Sequence, residues 1–184
     1  MEMKKSTVNP AHPLHFRLRT LVLKCRDLSC SPQKVLAEAH VLPGATVLDY
    51  GCGEGRFSIA AARFAGKDGK VYALDIHPLG LRQVQMAASR RGLWNVETIC
   101  SGCGTGLVAG SVDTALLYVT LHGLDNPHPV LEELHRVLKP NGFLSFRDPH
   151  LGEEEILSCI AYRGFFRLAG KGRETYRFAR VKKE

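Results

Sequence analysis

The chain has 184 residues, 45% of them hydrophobic and 23% charged, which suits one domain with its own core and argues against disordered or fibrous classes. No run approaches the ~20 apolar residues that cross a bilayer, and the opening MEMKKSTVNPAHPLHF holds no apolar stretch of signal-peptide length, so a cytoplasmic protein without a membrane span is expected. The net charge of +7 would attract nucleic acid, yet no aromatic-interleaved RNA-binding signature accompanies it, and nucleic acid is not the favoured partner.

In chain order, residues 1–31 show no clear period. With His12, His15 and Phe16 they are assigned as a separate segment, a candidate lid over a substrate site, and residues 32–184 as the domain proper. Helical signals follow at 32–41, 55–66, 78–91, 127–138 and 152–160; Gly66 stops the second, Pro78 opens and Gly92 ends the third, and Pro127 opens the fourth. Between them lie short β-branched and apolar runs at 46–50, 70–75, 95–99, 112–118 and 142–147. Strands alternating with helices imply a doubly wound α/β fold, its parallel sheet covered on both faces. Residues 162–168 and 174–180, around AGKGR, read as a closing antiparallel hairpin.

The chemistry concentrates in VLDYGCGEG at 47–55, where the first strand passes into a helix. Glycine adopts positive φ and places no Cβ between backbone and ligand, so Gly51, Gly53 and Gly55 predict a cradle for a flat cofactor at the sheet's carboxyl edge. A dinucleotide fingerprint places its third glycine where Arg56 stands, which disfavours nicotinamide and flavin. Asp75, at the end of the second strand, is placed to accept the two hydroxyls of a ribose.

These residues resemble the first motif of class I S-adenosylmethionine-dependent methyltransferases, an acid followed by three alternating glycines, met here by Asp49, Gly51, Gly53 and Gly55. The resemblance continues through ALDIHP and SVDTALLYVTLHGLDNP into VLEELHRVLKPNGFLSF, which resembles the motif after the fourth strand of small-molecule methyltransferases related to the quinone-pathway enzymes. It implies a Rossmann-like sheet of seven strands with the C-terminal hairpin at one edge. It implies S-adenosylmethionine as cofactor, S-adenosylhomocysteine as product and a small-molecule methyl acceptor. By the same resemblance, Asp49, Tyr50, Gly51, Cys52, Gly53 and Gly55 would line the methionine and ribose portions, with Asp75 on the ribose hydroxyls and Ile76 on adenine. Ser101, Gly102 and Cys103 would border the adenine edge, where relatives often carry an acid that this chain lacks. Tyr118 would border the sulfonium.

Methyl transfer needs a general base only where the acceptor loses a proton. His122 is the first choice and Asp125 the second, although an aspartate there also suits a helix cap. Arg147 and Asp148 suit either a polar acceptor or an ion pair. The six cysteines read as thiols; Cys25, Cys30, Cys100 and Cys103 have irregular spacing for zinc, and no metal site is assigned. Methylation of RNA, methylation of arsenite held by thiols, and a silent cofactor-binding module are the alternatives. A monomer or homodimer is expected.

Overall fold

A computed structural model describes residues 30–182, so the expected lid over 1–31 lies almost wholly outside the described residues. The chain divides into two units, Met1–Ser31 and Pro32–Glu184, and the second carries the sheet. Its elements are α1 (Pro32–Glu38), β1 (Thr46–Tyr50), α2 (Arg56–Ala65), β2 (Lys70–Asp75), α3 (Pro78–Ser89), β3 (Val96–Cys100), β4 (Val112–Tyr118), α4 (His128–Val137), β5 (Leu138–Arg147), α5 (Glu153–Ile160), β6 (Phe166–Lys171) and β7 (Tyr176–Arg180). Strand order is β3-β2-β1-β4-β5-β7-β6. Pairing is parallel from β3 to β5, and β7 runs antiparallel between β5 and β6.

Burial on both faces explains why the central strands read as continuous apolar runs. On one face Leu48, Tyr50, Ala115, Leu117, Leu144 and Phe146 join Leu131 and Leu134 of α4, Ile156 and Ile160 of α5, and Phe165, Phe166 and Phe178 in one cluster. The alternate residues face the other way, where the small buried side chains Ala61, Ala62 and Ala65 let α2 lie close to the sheet. Asn95 closes the C-terminus of α2 by donating from Nδ2 to the carbonyls of Ala62 and Gly66, at 2.9 and 2.8 Å. Sheet order reverses between β1 and β4, so the crevice beyond their carboxyl ends is the place where this topology binds ligands.

Several boundaries differ from the sequence reading: α1 ends at Glu38 and not at 41, and β5 begins at Leu138, directly behind α4, and not at 142. Residues 162–164 form a short 3-10 turn, with Arg163 at φ 56° beside Gly164, and β6 begins only at Phe166. The apolar spacing of YRGFF looked like a strand, but Phe165 and Phe166 are buried in the α4–α5 cluster. The hairpin turn falls at 172–175, because the Glu38 carboxylate organises it: Oε1 accepts the N–H of Arg173 and Glu174, and Oε2 accepts the N–H and hydroxyl of Thr175 at 2.9 and 3.0 Å. Hydrogen bonds to a charged group contribute about 1.5–3 kcal/mol. Glu38→Ala is therefore expected to lower the unfolding free energy by about 2 kcal/mol in urea denaturation; an unchanged midpoint would show that the turn closes without this carboxylate.

Candidate active site

The glycine loop leaves β1 at the reversal point. Gly51, Gly53 and Gly55 have φ of 77°, 55° and 82°, the left-handed region that only glycine enters without strain. The N–H groups of Gly51 and Cys52 both donate to the Leu74 carbonyl, at 2.8 and 2.9 Å, which folds the loop onto the end of β2. A side chain at Gly51 would strike Thr120, one at Gly55 would come within 2.5 Å of Val84, and one at Gly53 would meet nothing within 4 Å. Two of the glycines therefore serve packing, while Gly53 faces open space.

Asp75 fixes the loop from β2. Its Oδ2 accepts the N–H of Gly53 and its Oδ1 the N–H of His77, each at 2.8 Å. An ionised carboxylate has about four acceptor positions, so each oxygen keeps one beyond these bonds. Ile76 follows, 49% exposed, and a Cβ on Gly102 would stand 3.6 Å from its Cγ2. The 101–103 loop is held from beneath by the Tyr50 hydroxyl, which donates to the carbonyls of Gly102 and Cys103 at 3.3 and 3.1 Å. Ser101 Oγ accepts the Cys103 N–H at 3.3 Å, so this hydroxyl shapes its own turn.

Asp49 lies buried beneath the loop and accepts the Ser58 hydroxyl at 2.5 Å. Burial pushes its carboxyl up to about 6, the Ser58 hydrogen bond opposes this, and the charge of Asp75 adds to the rise. Burial likewise pushes the Cys52 thiol up, helped by the charges of Asp49 and Asp75, so Cys52 is a small filler and a poor nucleophile. Tyr118 is buried, its hydroxyl paired with Ser145 Oγ at 2.8 Å and its ring edge-on to Phe57 at 4.7 Å.

Beyond β4 the chain turns sharply at Val119 into a short 3-10 helix, Leu121–Gly123. This places His122 over the end of β5, where Nδ1 stands 2.9 Å from Oδ2 of Asp148. The Asp148 side chain has no solvent exposure and that of His122 has 28%. The His150 ring lies 4.4 Å from that of His122. Arg147 pairs separately with Glu174 at 3.7 Å. Asp125 is exposed, and its neighbour Asn126 supplies the local cap by accepting the His128 N–H at 3.1 Å. Sequence reasoning missed Ser58, Phe57, Thr120 and His150. Ser58 sits one helical turn inside a motif that spacing alone can flag; the others meet their partners only through sheet register. Of the four cysteines considered for zinc, Cys25 lies outside the described residues. Cys100 Sγ lies 3.9 Å from the Ile76 carbonyl, and the Cys103 thiol is pushed up by burial and by Glu133.

A family model described as a methyltransferase domain matches residues 42–164. The chain is 37% identical over 144 residues to a demethylmenaquinone methyltransferase of Geobacillus stearothermophilus, covering 74% of this chain and 60% of that protein. A ubiquinone/menaquinone biosynthesis C-methyltransferase of Paraburkholderia phymatum is 31% identical over 109 residues, covering 59% of this chain and 45% of that one. The crystal structure of an S-adenosylmethionine-dependent methyltransferase from Aquifex aeolicus superposes with a TM-score of 0.69 at 29% identity, over 80% of this chain and 87% of that chain. The chain thus spans 60% or less of the length of these two quinone-pathway relatives.

The Asp49 carboxyl yields a prediction about the fold itself. Between its ordinary value of 3.8 and about 6, the native state holds a proton that the unfolded state has lost, so ionisation of Asp49 erodes stability as pH rises through that window. Asp49→Asn keeps an acceptor for Ser58 and removes the ionisation. Its stability relative to wild type should rise between about pH 4 and 6 and level off above, by an amount of order 2–3 kcal/mol. Urea denaturation across that range measures it, and a difference independent of pH would show that the buried carboxylate is compensated in the fold.

Proposed function

The chain belongs to the methyltransferase-domain family, and from that premise we propose that it transfers a methyl group from S-adenosylmethionine to a small-molecule acceptor and releases S-adenosylhomocysteine. The observation that carries this reading is Asp75, a carboxylate held by two backbone N–H groups beside the open face of Gly53. Its remaining acceptor positions suit the two hydroxyls of a ribose. Gly51, Cys52 and Gly53 border the same space, with Gly55 starting the helix behind them. Ile76 and Gly102 supply an apolar wall and an unobstructed backbone for adenine, with Ser101 and Cys103 offering backbone groups to its edge. Asp49 and Tyr50 support the loop from below; a cationic amino group nearby would draw Asp49 into its ionised form.

The cofactor supplies a methyl group on a sulfonium, whose departure leaves a neutral thioether. The chain's own task is then to align the acceptor and exclude water. Tyr118 at the end of β4 and Phe57 of α2, edge-on to each other, border the crevice on one side, and His122, braced by Asp148, contacts the acceptor beyond them. Asp125, exposed three residues on, is kept as a weaker candidate for the same role. The names of the quinone-pathway relatives direct the first acceptor screen to oxygenated ring compounds. Capture of arsenite is disfavoured, because burial raises both Cys52 and Cys103 away from the thiolate form that would bind it. Among the described residues no helix is long and apolar enough to cross a membrane. The free thiols support a cytoplasmic setting, and we take the working unit to be a monomer or homodimer.

Calorimetry with S-adenosylhomocysteine tests the reading. Wild type should bind it and ignore NAD, and a concentration of about 100 times Kd should stabilise the fold by about 2.7 kcal/mol. Asp75→Asn, which preserves size and one acceptor, should weaken binding at least tenfold, with Asp75→Ala weaker still. Equal affinity in the Asn variant would remove Asp75 from the site, and no binding of either sulfur nucleoside by wild type would overturn the assignment.

A further inference from the structure

We propose that His122, Asp148 and His150 form a binding site for a divalent transition-metal ion of the zinc or iron(II) class on the acceptor side of the crevice. One donor atom from each residue lies within 4.8 Å of the other two. The 2.9 Å between His122 Nδ1 and Asp148 Oδ2 is a hydrogen-bond distance; it also matches the ~3 Å between two ligands at right angles on one ion with bonds of ~2.1 Å, while a tetrahedral ion would hold them a few tenths of an ångström further apart. The His150 ring lies 4.4 Å from that of His122 and is tilted by 43° to it.

The carboxylate is prepared as a ligand is prepared. Oδ2 of Asp148 accepts the backbone N–H of His122 and Oδ1 accepts that of His150, both at 3.2 Å. Such bonds fix a carboxylate's orientation before an ion arrives. Simple pairing of Asp148 with His122 accounts for one imidazole. The second is carried to the same carboxylate by the turn in which Asp148 Oδ1 accepts the His150 N–H, and a shared ion would draw on both.

Two imidazoles and one carboxylate suit zinc, iron(II), cobalt(II), nickel(II) or manganese(II), and are poorly matched to the all-oxygen shells of magnesium and calcium. An ion held at Nδ1 of His122 requires the ring proton to sit on Nε2. His122 and His150 are both exposed while Asp148 is not, so the open coordination positions face outward, where an acceptor would approach. The fitting acceptor carries a hydroxyl or carbonyl oxygen that can ligate the ion. That last step rests on the methyltransferase reading; binding of the ion does not.

Cobalt(II) titration of the full-length protein, previously stripped with a chelator, tests the site. One ion per chain should bind with micromolar affinity and visible bands of nitrogen and oxygen ligation, without a thiolate charge-transfer band. His150→Ala and His122→Ala should each weaken binding by about 10–100-fold, while His150→Ala keeps the affinity of wild type for S-adenosylhomocysteine. Binding weaker than millimolar, a thiolate band, or affinity unchanged in both variants would overturn the metal site. Retained nucleoside binding in that case would leave the methyltransferase reading standing, whereas metal binding without nucleoside binding would separate the two the other way.

Discussion

The Asp75 carboxylate ties the loop after β1 to the start of α3. One oxygen holds Gly53 in the loop after β1, and the other holds His77 at the start of α3. Because α3 then lies directly against the glycine loop, its own first turn has no room for a side chain: a Cβ on Gly80 would stand 2.6 Å from the Gly53 carbonyl. Val84, one turn later, fills the space behind Gly55. The cradle is therefore a joint product of β1, β2 and α3, held by one buried carboxylate and by the close approaches of Gly80 to the Gly53 backbone and of the Val84 side chain to Gly55.

That arrangement places two carboxylates at the ends of neighbouring strands. Burial first, and the charge of Asp75 as a lesser contribution, raise the Asp49 carboxyl to about 6, so a positive charge brought beside it would favour its ionised form. Burial, helped by the same two carboxylates, also raises the Cys52 thiol, which keeps a cysteine in the cradle from competing as a nucleophile.

The strands and helices were legible because period and punctuation agreed. The β1 and β4 runs are buried on both faces, and prolines and glycines mark the helix ends where the chain turns. The cradle was legible for the same reason, since the demand for positive φ is written in residue type at 51, 53 and 55. What escaped was long-range. Glu38 organises the β6–β7 turn from a position more than 130 residues earlier, and no local pattern announces such a pairing. His150 was hidden for a related reason. It joins His122 only because β4 and β5 are parallel and in register, with Tyr118 opposite Arg147. At 162–164 the apolar pattern was real, but the aromatic side chains were needed by the α4–α5 cluster more than by an edge strand.

Val119 shows how cofactor side and acceptor side are joined. A β-branched residue at φ 52° is strained by about 1–3 kcal/mol, and its N–H donates to the Arg147 carbonyl at 2.7 Å, which holds the turn in place. The turn sends the next residue, Thr120, over Gly51, where its hydroxyl donates to the Tyr118 carbonyl at 3.0 Å, and it carries His122 onto Asp148. Relaxing Val119 to ordinary extended backbone would continue β4 outward and withdraw both side chains together. The strain is thus offset by contacts on both sides of the crevice: a valine at this φ leans towards extended backbone, and the Arg147, Tyr118 and Asp148 contacts hold the turn against that preference where a glycine would adopt the turn unaided.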